Sequence, residues 1–196
     1  MSRQPDPDVE KRVLDAAAKL LHRGGEKAVS MRKVAKAAST NTPAVYRRFR
    51  NRQDILKALV RRHQEALFKE LEPCSSIPDA SECALEYALK HPREYELLTS
   101  ESFSKLSKRR VNVEFMMQRS AEWLGGVPED HRPLVIALWG LMHGTAMLLI
   151  SNTITAQYAA EFRLVYRTAV EALVSQRAAL SIAKQSGAGS SGGPAN

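Results

Sequence analysis

Between Arg132 and Glu161 the chain carries no Asp, Glu, Lys or Arg. A helix built from such a run is apolar nearly all round, so it must be buried against other elements or inserted in a membrane. Its apolar heart, Leu134 to Ile150, falls short of the ~20 residues that span a bilayer. It also holds His143, Thr145 and two glycines. The run therefore reads as the central helix of a soluble protein with no membrane partner. Ala137, Gly140, Gly144 and Ser151 recur along it at helical spacing. Small residues on one face let a second helix approach closely, so they mark an expected dimer interface.

The rest of the chain is helical in pattern as well. No alternating β-branched run and no hairpin dipeptide such as Asn-Gly occurs. Val13, Ala17, Leu20 and Leu21 form one face of a first helix, which Gly24-Gly25 stops. Ser30 is an N-cap for a short second helix carrying Met31, Val34 and Ala35. Ser39 to Asn41 is turn-like, and Thr42-Pro43 opens a third short helix through Tyr46. Asn51 caps a long fourth helix with the stripe Ile55, Leu56, Leu59, Ala66 and Leu67. Beyond the break at Pro73 and Pro78, helices are predicted near 79–90, 92–108, 110–124, 131–152 and 157–184. The expectation is an all-α protein of about nine helices. Residues 1–50 form a three-helix helix-turn-helix domain, 51–184 a helical regulatory and dimerisation domain, and 185–196, rich in Gly and Ser, a disordered tail.

Charge is distributed unevenly over this plan. Residues 1–62 carry 16 Lys or Arg against 6 Asp or Glu, whereas residues 63–196 carry 13 against 15. Such asymmetry points to a segment that meets a polyanion. From Lys27 to Arg62 the only acid is Asp54. Lys and Arg neutralise phosphates and release counterions, so the basic run is a candidate footprint for nucleic acid. Two short helices joined by a tight turn and braced by a first helix form a helix-turn-helix, whose second helix lies in the major groove. Here that helix spans Asn41 to Arg48. Its Asn, Thr and Arg side chains are of the kinds that read base edges or phosphates.

Residues 9–60 resemble the DNA-binding domain of the TetR (tetracycline-repressor) family. The resemblance rests on an apolar helix ending in Leu20-Leu21, then Gly24 or Gly25, then Val29-Ser30-Met31 and Val34-Ala35-Lys36-Ala37-Ala38. Thr42-Pro43-Ala44-Val45-Tyr46-Arg47-Arg48-Phe49-Arg50-Asn51-Arg52 follows, leading into Asp54-Ile55-Leu56. The remainder is similar in helical layout and in Leu141 to Met147. Ser39-Thr40 stands where the family has Gly and an apolar residue, and Arg48 where His is common. The resemblance implies that Ser30 and Arg32 meet the DNA backbone. It also implies that Asn41, Thr42, Ala44, Tyr46, Arg47 and Arg48 face the groove or its phosphates, and that Arg52 contacts phosphate at the start of the fourth helix. Val45 and Phe49 hold the core. The implied function is a cytoplasmic transcriptional repressor that binds a palindromic operator in double-stranded DNA as a homodimer and is released by a small, mostly apolar effector.

The last helix places Phe162, Tyr166, Ala169 and Leu173 at four- and three-residue steps, a seam for a partner helix. A ligand pocket is expected among Phe68, Tyr87, Tyr95, Phe103, Phe115, Met116, Trp123, Trp139, His143 and Met147, because apolar walls with few polar groups suit small molecules. Each of these side chains also suits a plain core. No nucleophile triad, phosphate loop or paired carboxylates argue for an enzyme, and no cofactor or metal is implied. Cys74 and Cys83 with His63 or His91 match no zinc spacing. The two cysteines flank a short loop, where they are either a redox pair or inert thiols.

Overall fold

A computed structural model describes residues 8–100 and 111–181. Ten α-helices occur among the described residues. They are α1 (Asp8–Ala28), α2 (Met31–Ala37), α3 (Thr42–Tyr46), α4 (Arg52–Leu71), α5 (Ile77–Lys90), α6 (Pro92–Thr99), α7 (Val111–Leu124), α8 (Arg132–Ile150), α9 (Ala156–Ser175) and α10 (Arg177–Ser181). A 3-10 turn, Pro128–His131, leads into α8. The protein is all-α, as the sequence pattern indicates. The single helix predicted over 157–184 is divided at Gln176. Most of the second half of the helix predicted over 92–108 lies outside the described residues.

The chain forms two compact units. One comprises the described parts of 1–69 and 90–108, the other those of 70–89 and 109–196. The boundary expected after residue 50 falls inside the first unit, because α4 and α6 share its core. That core joins Val13, Ala17 and Leu21 of α1, Val34 and Ala35 of α2 and Val45 of α3 to Phe49. Ile55, Leu56, Leu59 and Val60 of α4 and Leu97 of α6 complete it. Each fully buried large apolar side chain contributes about 1.5–3 kcal/mol. The α1 backbone leaves helical geometry at Gly24 and Gly25, where Gly25 has φ 64°. Only glycine takes that conformation without strain, so the pair breaks the helix where the sequence indicates.

The turn after α2 shows how this chain departs from a glycine-based design. Ser39 N–H donates to Lys36 O and Thr40 N–H to Ala35 O, the paired bonds of a Schellman cap. The residue at its left-handed position is Ser39, with φ 51°. A side chain there costs roughly 1–2 kcal/mol, partly offset by glycine's larger entropy when unfolded. Ser39 is exposed, so little packing is lost on its removal. Ser39→Gly is expected to stabilise the first unit by about 0.5–1 kcal/mol, raising Tm by about 2 °C. A thermal melt with Tm unchanged or lowered would count against strain at this turn.

In the second unit α8 packs one face inward through Leu134, Val135, Leu138, Thr145 and Ala146. Tyr166 of α9 donates its hydroxyl to Ser81 O at 3.0 Å. Arg163 bonds Glu82 at 3.0 Å and also Glu86, so α9 is held on α5 by charge-assisted bonds. The other face of α8 is uncovered in the protomer: Ile136, Trp139, Gly140, Gly144 and Leu148 are exposed. The 3-10 turn lengthens the helical run without lengthening its apolar heart, because Pro128–His131 carries Glu129 and Asp130. Pro128–Ile150, 23 residues, is long and apolar enough to cross a membrane by length and composition alone, and 28% of its most apolar window is buried.

Candidate nucleic-acid interface

Three side chains start three successive helices. Ser30 Oγ accepts the Lys33 N–H at 3.3 Å, Asn41 Oδ1 the Ala44 N–H at 2.9 Å, and Asn51 Oδ1 the Asp54 N–H at 3.0 Å. Each satisfies a backbone donor that has no partner within its helix. Asp54 in turn accepts the Arg50 N–H at 3.2 Å. The caps fix where α2, α3 and α4 begin, and hence which residues face inward.

Burial of Val34 and Ala35 turns Arg32, Lys33 and Lys36 outward from α2. Burial of Ala44 and Val45 turns Asn41, Pro43, Tyr46 and Arg47 outward from α3, with Arg48 and Arg50 exposed just beyond it. Tyr46 is 53% exposed, a large value for a tyrosine on a packed helix. Ser30 and Thr42 are half-buried at the helix starts. The outcome is a cationic surface spread over α2, α3 and the segment after α3. Lys33, Lys36 and Arg50 belong to it although they were not among the expected site residues. The 3.6-residue period around Val34 and Ala35 carries the signal for the first two.

Two of the residues expected to contact DNA are committed within the domain. Ala44 is only 7% exposed and belongs to the packed side of α3, because the period that exposes Tyr46 and Arg47 turns residue 44 inward. Arg52 is engaged within the domain. Its Nε donates to Val29 O at 2.8 Å and its Nη2 to Glu26 O at 2.6 Å, with Glu26 Oε1 3.1 Å away. The planar guanidinium fork suits two adjacent carbonyls. Arg52 thus fastens the first turn of α4 to the last turn of α1 and to Val29 just beyond it. Asn41 is exposed, but its oxygen is committed to the α3 cap.

The residues expected to hold an effector are spread over both units. Tyr95 is buried and Phe68 half-buried in the first. Burial pushes the Tyr95 phenol well above its ordinary range. In the second, Tyr87 is buried and Phe115, Met116, Trp123 and Met147 are half-buried. Arg119 lies over the Trp123 ring at 4.6 Å. Trp139 is 47% exposed and stacks on His143 with ring centroids 5.9 Å apart, so both stand beside the uncovered glycine face of α8. Phe103 lies outside the described residues. A cleft of about 370 Å³ in the second unit is lined by Asp130, His131, Leu134, Ser175, Arg177 and Ala178, none of them in the expected set.

Of the expected dimer residues, Gly140, Gly144 and Ser151 are exposed, and Ala137, Phe162, Ala169 and Leu173 are half-buried. Tyr166 is corrected: at 2% exposure it is a core residue of its own protomer. The uncovered apolar side of α9 carries Tyr158, Leu164 and Val165 instead. Periodicity alone marks Tyr166 as apolar on a helix and does not say which apolar face the protomer itself covers.

Three capped helices with a cationic outer surface, joined to an all-helical second unit, define a helix-turn-helix domain on a helical partner domain. Residues 13–59 match the family described as bacterial regulatory proteins, tetR family, and this N-terminal domain belongs to it. Over 53 residues the chain is 36% identical to YvkB of Bacillus subtilis strain 168, an uncharacterized HTH-type transcriptional regulator. That match covers 27% of this chain and 28% of the relative, little more than a quarter of either. In fold, the chain is similar to a TetR-family transcriptional regulator from Streptomyces coelicolor, with TM-score 0.64 and 21% identity over 86% of this chain and 98% of that one. It is also similar to a single-substitution variant of TetR from Acinetobacter baumannii AYE, solved in complex with minocycline, with TM-score 0.62 and 16% identity over 86% and 96%. At these identities the likeness is one of fold.

Proposed function

We propose that this chain is a transcriptional repressor that binds a palindromic operator as a homodimer and is released by a small, mostly apolar molecule. The observation that carries the proposal is the outward face of the helix-turn-helix, where Arg32, Lys33, Lys36, Arg47, Arg48 and Arg50 surround the outer side of the Thr42–Tyr46 helix. Cations of this kind position a protein on phosphates, and the side chains between them read bases. In this reading Tyr46 and Arg47 enter the groove with Thr42, while Ser30, Arg32 and Arg48 flank it. Asn41 acts mainly by holding α3 in register, and its amide nitrogen remains available to a base.

A twofold axis would present two reading helices to one face of DNA, ~34–36 Å apart or a multiple of it. The uncovered faces of α8 and α9 support such an axis. The effector is supported by the helical second unit and by the fold it shares with a minocycline-bound protein. Acting in the cytoplasm on its own upstream DNA, the dimer would block transcription until the effector shifts it to an arrangement with lower DNA affinity.

The test is fluorescence anisotropy with labelled DNA from immediately upstream of the gene, against scrambled DNA, at several salt concentrations. With 6–10 phosphates neutralised, binding should weaken ~10³–10⁵-fold between 50 and 200 mM salt. A specific palindrome should emerge above that background. An affinity indifferent to salt, or equal for all sequences, would overturn the reading.

A further inference from the structure

The chain's two cysteines meet at one atom. Cys74 lies in the connection between α4 and α5, and Cys83 on the second turn of α5. Both are half-exposed and neither is in a disulfide. The carbonyl oxygen of Glu70 accepts from Cys74 Sγ at 3.9 Å and from Cys83 Sγ at 3.4 Å. Glu70 stands in the last turn of α4, where carbonyls have no partner within the helix, so the two thiols cap it together. Two sulfurs on one acceptor lie no farther apart than those two distances laid end to end.

We propose that Cys74 and Cys83 are a peroxide-oxidised disulfide pair that staples the end of α4 to α5. The thiolate of either cysteine attacks one oxygen of hydrogen peroxide or an organic hydroperoxide, giving a sulfenic acid and expelling hydroxide or alkoxide. The second thiolate then attacks that sulfenic sulfur. The S–S bond forms, the S–O bond breaks, and hydroxide leaves with a proton as water. In total two thiols lose two electrons and two protons, and the peroxide is reduced to two molecules of water, or to water and an alcohol.

The movement needed is confined to the connection. The sulfurs must close to ~2 Å, and Cys74 sits on non-helical backbone while Cys83 is fixed on α5. Arg119 holds the connection by its carbonyls, bonding Cys74 O at 2.9 Å and Glu72 O at 3.4 Å, which leaves the Cys74 side chain outside that anchor. The chain holds two cysteines in all, so a single pairing is possible within it.

The full-length reduced protein is exposed to stoichiometric hydrogen peroxide, then examined by intact mass, thiol titration and a non-reducing peptide map. The expected result is a mass lower by about 2 Da, loss of both titratable thiols, and a Cys74–Cys83 linked peptide. Dithiothreitol reverses all three, and the yield does not depend on protein concentration. In Cys83→Ser the remaining thiol should stop at a sulfenic acid captured by dimedone. Unchanged thiols, added oxygen without a linked peptide, or a disulfide between chains would each overturn the proposal. None of these readouts involves DNA, so their outcome is independent of the function proposed above.

Discussion

The double substitution Leu164→Glu, Val165→Glu is expected to leave the protomer folded and to abolish its self-association. Both side chains are uncovered in the protomer, 66% and 58% exposed, so charge at these positions meets water there. In a dimer packed through α8 and α9 they would be buried. A large apolar side chain contributes about 1.5–3 kcal/mol on burial, and a twofold axis repeats each loss. Four sites therefore represent about 6 kcal/mol or more, which is beyond ~10⁴-fold in Kd. Carboxylates forced into the same contact add a desolvation cost. Sedimentation equilibrium at roughly 10 µM, where an interface of ordinary affinity is fully formed, should show a dimer for the parent and a monomer for the variant. Circular dichroism should show unchanged helix content. Palindrome affinity should fall at least ~100-fold, since two linked half-sites bind far more tightly than one. Gly144→Leu is the matched control on α8. A Cβ built there meets no atom within 4 Å, so its damage would also appear only in the assembly. A variant that still sediments as a dimer would move the interface off these faces.

Arg52→Ala is expected to lower the stability of the first unit rather than simply to weaken phosphate contact. The substitution removes two charge-assisted bonds, to Val29 O and Glu26 O, and the nearby Glu26 carboxylate loses its counter-charge. Bonds to charged groups contribute about 1.5–3 kcal/mol each. The guanidinium is about a third exposed, which lowers the total to roughly 2–3 kcal/mol. For a chain of this length that is a fall in Tm of about 5–10 °C. Arg52→Lys separates the two roles. Lysine keeps the charge that a phosphate needs but lacks the planar fork that spans two carbonyls. A structural clip predicts that Lys loses most of the stability. A phosphate contact predicts a Tm near the parent with DNA affinity largely kept by Lys and lost by Ala. The second outcome would return Arg52 to the DNA surface.

These two variants mark where sequence reading ended. The charge asymmetry, the caps at Ser30, Asn41 and Asn51, the break at Gly24-Gly25 and the apolar spacing of α1 to α4 are local properties. Each depends on residues within a turn or two of one another, and each is found in the structure. Ser39 at the left-handed position of the turn is likewise consistent with its place in the sequence, where a glycine is usual. The roles of Arg52 and Tyr166 were not legible in the same way. Arg52 meets carbonyls 23 and 26 residues upstream, and Tyr166 meets one 85 residues upstream. No periodicity within a window of the chain carries such distances.

The sequence by itself determined that this protein is helical, that its N-terminal third is a cationic helix-turn-helix, and that Leu134 to Ile150 cannot stand alone in water. These follow from propensity, capping and hydrophobic period, which act between neighbours. The tertiary structure alone decided which side of each apolar helix the protomer consumes. It buries the Tyr166 side of α9 and leaves Leu164 and Val165 uncovered, and it takes Arg52 into the domain. The physical reason is that an amphipathic pattern specifies that a face must be covered, whereas long-range packing selects what covers it.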